Sequence, residues 1–438
     1  MAQILLFVSI LGLLGALNAL RPPHTERPPQ RRPPWLPAML TTELIPLRIG
    51  VRTVLVAITA WVGALDQRAG HIALGVTAAT WVLYLVLLWR SGSAGKEMRR
   101  ALEAAGFDAP SHHGSFDWVA MATGNPYLLP RRLRRTADIE YAPGLGLDIY
   151  RHRDHDAEGS PTLVQIHGGG WHGGNRRQQG RPLLHHMARR GWVGVSVSYP
   201  LVPAATFPEM LVALKAALAW LRTDGATYGV DPDRIFVTGG SAGAHLAALT
   251  ALTAGRHEYQ PGFEEADTTV QGAVTLYGTY DFLNRNETRD PWAVIPRGVM
   301  KSSPAEDEAR YREASPLDQV HAGAPPFLVI HGSHDSLVSS EESRQFAAAL
   351  RRASAAPVAY AEIPGATHAF DIVPSLRTQL TMRGISTFLE ALARPRSEGI
   401  GAPEPHPDAV TPARGRRRDA PRAGSPRRSF WRRGRPSA

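Results

Sequence analysis

Residues 138–393 alternate between short runs rich in β-formers and longer helical runs. The β-rich runs are a hairpin at 138–150 and six later runs at 162–166, 192–198, 234–238, 270–277, 326–331 and 357–363. Helical runs at 176–190, 208–222, 242–254, 340–352 and 376–392 separate most of them. Strands that alternate with helices form a mainly parallel sheet with helices on both faces. The sequence therefore predicts a single α/β domain over residues 138–393.

Reactive residue types directly follow four of these predicted strands. The four groups are His167-Gly168-Gly169-Gly170-Trp171, Gly239-Gly240-Ser241-Ala242-Gly243, Gly332-Ser333-His334-Asp335 and Gly365-Ala366-Thr367-His368. Ligands of open α/β sheets bind outside the carboxyl ends of the strands. We therefore expect the four groups to lie at one edge of the sheet and to form one site.

Ser241 is the predicted nucleophile of that site. A serine hydroxyl is a weak nucleophile at neutral pH, so it must project from a tight strand-to-helix turn toward a base. Gly239 and Gly243 would relieve the crowding of such a turn. His368 can accept the serine proton and return it to the leaving group, while Asp335 fixes the histidine tautomer and stabilises the imidazolium.

The oxyanion formed on attack needs N–H donors that are already in place. The candidate donors are Gly168, Gly169, Gly170 and Ala242. Trp171 is a candidate for the wall of an acyl pocket, and a plain packing role is its alternative. His167 is expected to fix the glycine run without transferring protons.

Other readings of the triad stay open at this point. Ser241 could be an ordinary serine at a helix start, Asp281 could replace Asp335, and His334 could replace His368. Asp281 follows an earlier strand, and choosing His334 would leave the GATHAF segment unexplained, so Asp335 and His368 are favoured.

No metal or organic cofactor is predicted. The chain has no cysteine, which excludes disulfides, thiolate metal sites and cysteine nucleophiles. His185 and His186 lack the spacing to further histidine or acidic residues that a zinc site needs.

The order HGGGW, G-x-S-A-G, Asp and His resembles that of serine esterases of the α/β-hydrolase fold. It is most similar to hormone-sensitive-lipase-like and related carboxylesterases, including actinobacterial membrane-anchored lipases and esterases. The resemblance implies Ser241 as nucleophile, Asp335 as acid, His368 as base and the glycine run as oxyanion hole. Gly240 replaces the Asp that many such enzymes carry before the serine, and Asp335 lies in HGSHDSLV rather than D-P-L-x-D. Both departures point to neighbouring feruloyl-esterase-like, formamidase-like or isoprenylcysteine-methylesterase-like branches.

Residues 1–95 are predicted to form a membrane anchor. The runs 4–20 and 72–89 contain no charged residue and are long enough to span a bilayer. A third span is predicted near 49–65, where Arg52 would snorkel to the headgroups. A cleaved signal peptide is the alternative for the first run, although its flanks lack the usual charge and cleavage pattern.

The arginines between the first two spans and after the last one place these segments on the cytoplasmic side. The catalytic domain of a multi-pass cell-membrane protein would then be cytoplasmic. The tetrapeptide GSAG at 92–95, which is repeated at 240–243, is expected to be a flexible linker. Residues 96–137 are predicted to be a linker or cap region, and residues 282–320 to contribute to the same cap.

Residues 394–438 are predicted to be a disordered Arg/Pro-rich tail, because they contain few aliphatic residues that could form a core. Twelve arginines against four acidic residues give this tail a net charge of +8. Such a tail fits a contact with anionic lipid headgroups. Its alternatives are a nonspecific nucleic-acid contact, with no specific nucleic-acid partner expected, and a solvated extension without function.

Together these features predict a membrane-anchored serine hydrolase that cleaves carboxylic esters, with short- to medium-chain acyl or lipid esters as substrates. An amidase, a formamidase or an acyltransferase would use the same triad. A catalytically silent hydrolase fold that serves as a membrane docking module is the alternative outside the enzymes.

Overall fold

Eight strands form one mostly parallel sheet with the order β1-β2-β4-β3-β5-β6-β7-β8, in which the pairs β1–β2 and β2–β4 are antiparallel. A computed structural model describes residues 1–21, 35–108, 116–154, 159–288 and 294–394. The strands are β1 Leu133–Ala142, β2 Leu145–His152, β3 Ser160–Ile166, β4 Val193–Val197, β5 Val230–Gly240, β6 Gly272–Leu276, β7 Phe327–Gly332 and β8 Val358–Ile363. The predicted α/β fold is confirmed, whereas the predicted tail lies outside the described residues.

Twelve α-helices lie within the described ranges. Six precede the sheet: α1 Ala2–Leu20, α2 Trp35–Glu43, α3 Ile45–Trp61, α4 Arg68–Ser91, α5 Ser93–Ala104 and α6 Trp118–Thr123. The others are α7 Arg181–Ala188, α8 Glu209–Thr223, α9 Ala242–Leu252, α10 Glu308–Glu313, α11 Ser340–Ala353 and α12 Leu376–Ala393.

Two apolar cores lie on opposite faces of the sheet, because neighbouring side chains of a strand point to opposite faces. Val164 and Val237 belong to one core, together with residues of α8, α9 and α11. Leu163 and Phe236, which precede them in β3 and β5, belong to the other core with residues of α5, α7 and α12. Burial on both faces explains why consecutive residues in the middle of these strands, Leu163–Val164 and Phe236–Val237, are apolar.

The strand register aligns the ends of neighbouring strands. Ile166 at the end of β3 pairs with Gly239 in β5, and Gly240 pairs with Leu276 at the end of β6. Gly332 at the end of β7 pairs with Ile363 at the end of β8. The segments that follow these strands therefore leave the sheet along one edge.

Two of the amino-terminal helices are long and apolar enough to cross a membrane: α1, and the continuous helix Arg68–Ala104 that α4 and α5 form. Helices α2 and α3 meet the same criterion only as a pair, bent by 78°. Predicted spans 4–20 and 72–89 thus lie in α1 and α4. The run predicted near 49–65 is α3, which ends at Trp61.

Two sequence expectations about this region are wrong. Arg52 does not snorkel outward, because its guanidinium donates to the carbonyl oxygen of Val8 and lies over the ring of Tyr84. The first GSAG is not a flexible linker, because Ser93 begins α5. Gly95 lies against Leu380 of α12, so its small size permits close helix packing.

Candidate active site

Ser241 occupies the sharp turn between β5 and α9, with φ 57° and ψ −123°. A Cβ atom on Gly239 would lie 2.8 Å from the carbonyl oxygen of Ile166, and one on Gly243 would lie 2.8 Å from that of His167. Contacts this short exclude any side chain at either position. The two glycines therefore let the turn approach the end of β3, and the backbone conformation of Ser241 is one that non-glycine residues rarely adopt.

The structure brings Ser241, His368 and Asp335 into one hydrogen-bonded chain. Nε2 of His368 lies 3.0 Å from the Ser241 hydroxyl, and Nδ1 lies 2.7 Å from Oδ2 of Asp335. Because a carboxylate only accepts hydrogen bonds, the His368 proton resides on Nδ1 and leaves Nε2 as an acceptor for the serine. This is the geometry that a serine nucleophile and its base require.

Asp335 is buried and surrounded by donors. Its Oδ1 accepts from the backbone N–H groups of Leu337 and Val338, both at 2.9 Å. Nε2 of His331 lies 3.2 Å from Oδ2. Burial opposes ionisation, but the electrostatic interaction with the His368 ring and the hydrogen bonds from His331 and His368 outweigh it and hold the pKa of Asp335 below its ordinary value. Asp335 is thus ionised at neutral pH.

Two aromatic rings that the sequence did not reveal pack against His368. Tyr277 contacts the imidazole with ring centroids 4.8 Å apart, and Trp35 of α2 contacts it with centroids 5.3 Å apart. The Tyr277 hydroxyl donates to Asp371. A Cβ atom on Gly240 would lie 2.8 Å from Cζ of Tyr277, so this ring occupies the space that a side chain before the serine would need.

The glycine run follows β3 beside Ser241. The N–H of Gly168 donates to Oε1 of Gln179 at 2.7 Å and is therefore engaged. The N–H groups of Gly169, Gly170 and Ala242 have no hydrogen-bond partner in the described part of the chain. Gly169 and Gly170 have φ values of 120° and 62°, a region that favours glycine.

His167 is held rigidly behind this run. Its ring stacks on Tyr199 with centroids 4.4 Å apart, and the Tyr199 hydroxyl donates to the His167 carbonyl oxygen. Burial lowers the pKa of His167 to about 4, so the ring is neutral at pH 7. These contacts are those of a structural residue.

Trp171 is 1% exposed. Its indole N–H donates to Nδ1 of His245, and its ring packs edge to face against His245 and Phe282. These contacts favour the packing role, and a part in substrate binding stays a prediction.

Asp281 and His334, the alternatives to Asp335 and His368, lie in other contacts. Both carboxylate oxygens of Asp281 accept hydrogen bonds from Arg285. His334 lies beside Ala19 and Trp35 at a small cleft between the loop after β7 and the ends of α1 and α2. Within the described ranges, no group of three or more histidine or acidic side chains could hold a metal ion.

A mostly parallel eight-stranded sheet with Ser241, His368 and Asp335 at its edge is the architecture of the α/β esterase fold. Residues 147–350 match the BD-FAE family model. Esterase LipQ of Mycobacterium tuberculosis is 44% identical over 264 residues, which are 59% of this chain and 63% of that protein. The probable carboxylic ester hydrolase LipM of the same organism is 42% identical over 276 residues, which are 62% of this chain and 63% of that protein.

The chain thus matches less than two thirds of the length of these two relatives. A solved structure of an esterase from Thermogutta terrifontis with bound propionate has the same fold, with a TM-score of 0.51 and 24% identity. That likeness covers 61% of this chain and 97% of the esterase. The resemblance to α/β-hydrolase serine esterases is confirmed.

Proposed function

We propose that this protein is a membrane-anchored carboxylic ester hydrolase that works through an acyl-enzyme. The observation that carries the proposal is the chain of hydrogen bonds from Ser241 through His368 to Asp335, with distances of 3.0 and 2.7 Å. The esterase names of the relatives support the same reaction class.

In the proposed acylation, Oγ of Ser241 attacks the ester carbonyl carbon while Nε2 of His368 takes the hydroxyl proton. The carbonyl oxygen becomes an oxyanion, and the N–H groups of Gly169, Gly170 and Ala242 are the donors for it. Collapse of this intermediate breaks the bond to the alcohol oxygen, which receives the proton from His368. Water then repeats the sequence on the acyl-enzyme and releases the acid.

Gly168 has a different role in this proposal. Since its N–H is bonded to Gln179, it positions the glycine run and does not donate to the oxyanion. A Cβ atom there would lie 2.6 Å from the carbonyl oxygen of Gly240 and 3.3 Å from Cβ of Ser241, so glycine is needed for the approach to the nucleophile.

The anchor is proposed to comprise α1, α4 and the bent α2–α3 pair, with the catalytic domain in the cytoplasm. Apolar esters held in the bilayer are the proposed substrates. The contact of Trp35 with His368 supports this, because the helix that carries Trp35 belongs to the proposed anchor and reaches the catalytic base.

A fluorophosphonate probe tests the nucleophile. Wild-type full-length protein should be labelled, and Ser241→Ala should abolish both labelling and ester hydrolysis. Ser93→Ala is a matched control, because Ser93 lies in the same tetrapeptide GSAG and should leave both unchanged. Labelling of Ser241→Ala at the wild-type level would exclude Ser241, and an unlabelled wild type would favour the silent docking module.

Matched ester and amide substrates, offered with and without an acceptor alcohol, test the reaction class. The proposal expects the free acid from the ester to be the main product. A faster amide reaction or transfer to the alcohol would select the amidase or the acyltransferase instead.

Membrane attachment and sidedness need separate measurements. The protein should stay in the membrane fraction after alkaline extraction. Because the chain has no cysteine, Arg352→Cys places a single thiol at an exposed position of α11. A maleimide that cannot cross membranes should label it only after cells are broken, and labelling of intact cells would overturn the cytoplasmic assignment.

A further inference from the structure

A cavity of about 530 Å³ lies between α6, α7 and α12, and its lining does not include Ser241, His368 or Asp335. The segment 125–130 closes it from another side. This volume is in the range of sites that hold small molecules. We call it the basic cavity, because its charged lining residues are Asp117, Arg189, Arg190 and Arg383.

Three positive charges against one negative give that lining a net charge of +2. The guanidinium of Arg189 bonds to Asp117, that of Arg190 bonds to Glu390, and that of Arg383 lies 4.0 Å from the ring centroid of Phe116. The side chain of Arg189 is 41% exposed, so it can accept a further partner. Clustered arginines with a carboxylate deficit favour an anion, and their planar donors match a phosphate.

The two histidines of the cavity do not add to this charge. Burial, together with the charges of Arg181 and Arg189, lowers the pKa of His185 to about 4. Burial and the charge of Arg190 lower the pKa of His186 to about 3. The arginines are therefore the groups that an anion would meet.

The rest of the lining is apolar and continues onto an exposed segment. Val119, Leu128, Leu129 and Met382 line the cavity. Trp118, Val119, Tyr127 and Leu128 are each more than half exposed, which is unusual for apolar side chains this close together. Helix α6 packs against α3 of the proposed anchor, so this apolar surface lies beside the helices proposed to enter the bilayer.

We propose that the basic cavity binds one anionic phospholipid, whose phosphate contacts the arginines and whose acyl chain follows the apolar segment 118–129. Basic pockets beside membrane helices suit anionic headgroups, and exposed aromatic residues suit the membrane interface. This inference rests on the proposed membrane anchoring. It concerns residues other than those of the predicted arginine tail.

Native mass spectrometry of the detergent-solubilised full-length protein tests the inference, with phosphatidylglycerol and phosphatidylcholine as probes. We expect one phosphatidylglycerol per chain to be retained, and phosphatidylcholine to bind about tenfold more weakly. Arg189→Gln/Arg383→Gln should weaken phosphatidylglycerol binding about tenfold. Arg352→Gln is the control, because Arg352 is exposed on α11 and does not line the cavity.

Ala120→Phe is a second variant that fills the cavity and leaves every charge in place, and it should also lose the lipid. The predicted arginine tail is intact in all variants, so any lipid that it binds contributes equally to the wild type and to each variant. Equal retention of both lipids, or unchanged retention in both cavity variants, would overturn the proposal. Displacement of the lipid by inorganic phosphate would overturn the choice of a membrane lipid. Alkaline extraction and Ser241 labelling report separately on the proposed function.

Discussion

The indole of Trp35 meets the imidazole of His368 edge to face, at an interplanar angle of 75° and a centroid distance of 5.3 Å. Trp35 begins α2, whereas His368 follows β8, so 332 residues separate them in the chain. The predicted catalytic base is therefore packed between Tyr277 of the sheet edge and a residue of the amino-terminal helices. This contact makes the proposed anchor part of the active-site wall.

Replacing Trp35 should impair large apolar substrates more than small soluble ones. Trp35→Ala removes apolar surface beside His368, and we expect kcat/KM for a long-chain ester to fall about tenfold, which corresponds to about 1.4 kcal/mol. Hydrolysis of a short soluble ester should change less than about threefold. Steady-state kinetics of both esters check this.

Trp220→Ala is the control for that experiment, because Trp220 of α8 packs against Tyr228 and contacts neither His368 nor the basic cavity. It should leave both rates near the wild-type values. An equal loss on both esters in Trp35→Ala would assign Trp35 to the positioning of His368 rather than to the substrate. No loss on either would reduce the contact to packing.

A buried ion pair joins the proposed anchor to the catalytic domain, and breaking it should be costly. Glu43 ends α2 and contacts Arg377 of α12, and both residues are about 1% exposed. Glu43→Gln leaves the Arg377 charge buried without its counter-ion, so we expect a loss of about 3 kcal/mol in stability. A fall of several degrees in the thermal unfolding midpoint in detergent would show this.

The exposed pair Glu308–Arg312 of α10 provides the comparison. Glu308→Gln should change stability by less than about 1 kcal/mol, because solvent screens exposed pairs. The double variant Glu43→Leu/Arg377→Leu should be more stable than Glu43→Gln, since it removes both charges. Equal midpoints for Glu43→Gln and Glu308→Gln would contradict the role of the buried pair.

Gly240 should not tolerate even an alanine. The added Cβ would lie 2.8 Å from Cζ of Tyr277, and displacing this ring disturbs its contacts with Asp371 and His368. Overpacking of this kind costs roughly 1–3 kcal/mol, and we expect Gly240→Ala to lower kcat about tenfold or more. The rate of fluorophosphonate labelling gives an independent readout.

The Tyr277→Ala background tests the assigned cause. Alanine leaves room for the new methyl group and avoids a β-branched side chain at the positive φ of residue 277, so Gly240→Ala should have little further effect there. An undiminished effect of Gly240→Ala in that background would mean that the serine turn itself rejects the methyl group.

Acid should destabilise the protein before its carboxylates titrate. Burial lowers the pKa of His167 from 6.5 to about 4, and burial with nearby arginines does the same for His185. Between pH 6.5 and 4 these two histidines bind protons in the unfolded chain but remain neutral in the folded protein. Their stabilising effect is therefore present above pH 6.5 and is lost as pH falls toward 4, by up to about 1.4 kcal/mol per pH unit for each histidine.

His185→Leu should reduce that slope. It also removes a buried Nε2 that has no hydrogen-bond partner in the described part of the protein, so stability at pH 7.5 should change little. Unfolding midpoints from pH 7.5 to 4.5 provide the measurement. A variant slope equal to the wild-type slope would rule out His185 as a contributor.

The α/β domain could be predicted because the pattern of apolar residues along each segment matches the burial of that segment in the folded domain. Apolar runs such as 327–330 became strands buried on both faces, and the residue types after them met at one edge. The strand that each residue follows favoured Asp335 over Asp281, and the GATHAF segment favoured His368 over His334. Their assembled geometry agrees with that selection, and their chemical roles stay predictions until tested.

The contacts that the sequence did not predict all depend on how separate segments of the chain pack against one another. Nothing local to Trp35 or Glu43 indicates that they reach His368 and Arg377. The hydrogen bond from Gly168 to Gln179 depends on the path of a loop, and Tyr277 explains Gly240 only once β5 and β6 are paired. The first GSAG was wrongly predicted to be a flexible linker for the same reason, since its small residues let α5 pack against α12.

The continuous helix Arg68–Ala104 has 37 residues and a length of about 55 Å, whereas the hydrocarbon core of a bilayer is about 30 Å thick. Its last part, α5, packs on α12 and β8 of the catalytic domain. In the proposed membrane-anchored protein, a bilayer too thin for α4 would tilt this helix. Because α5 continues from α4 and packs on the catalytic domain, that tilt would change the angle between the active-site edge of the sheet and the membrane surface.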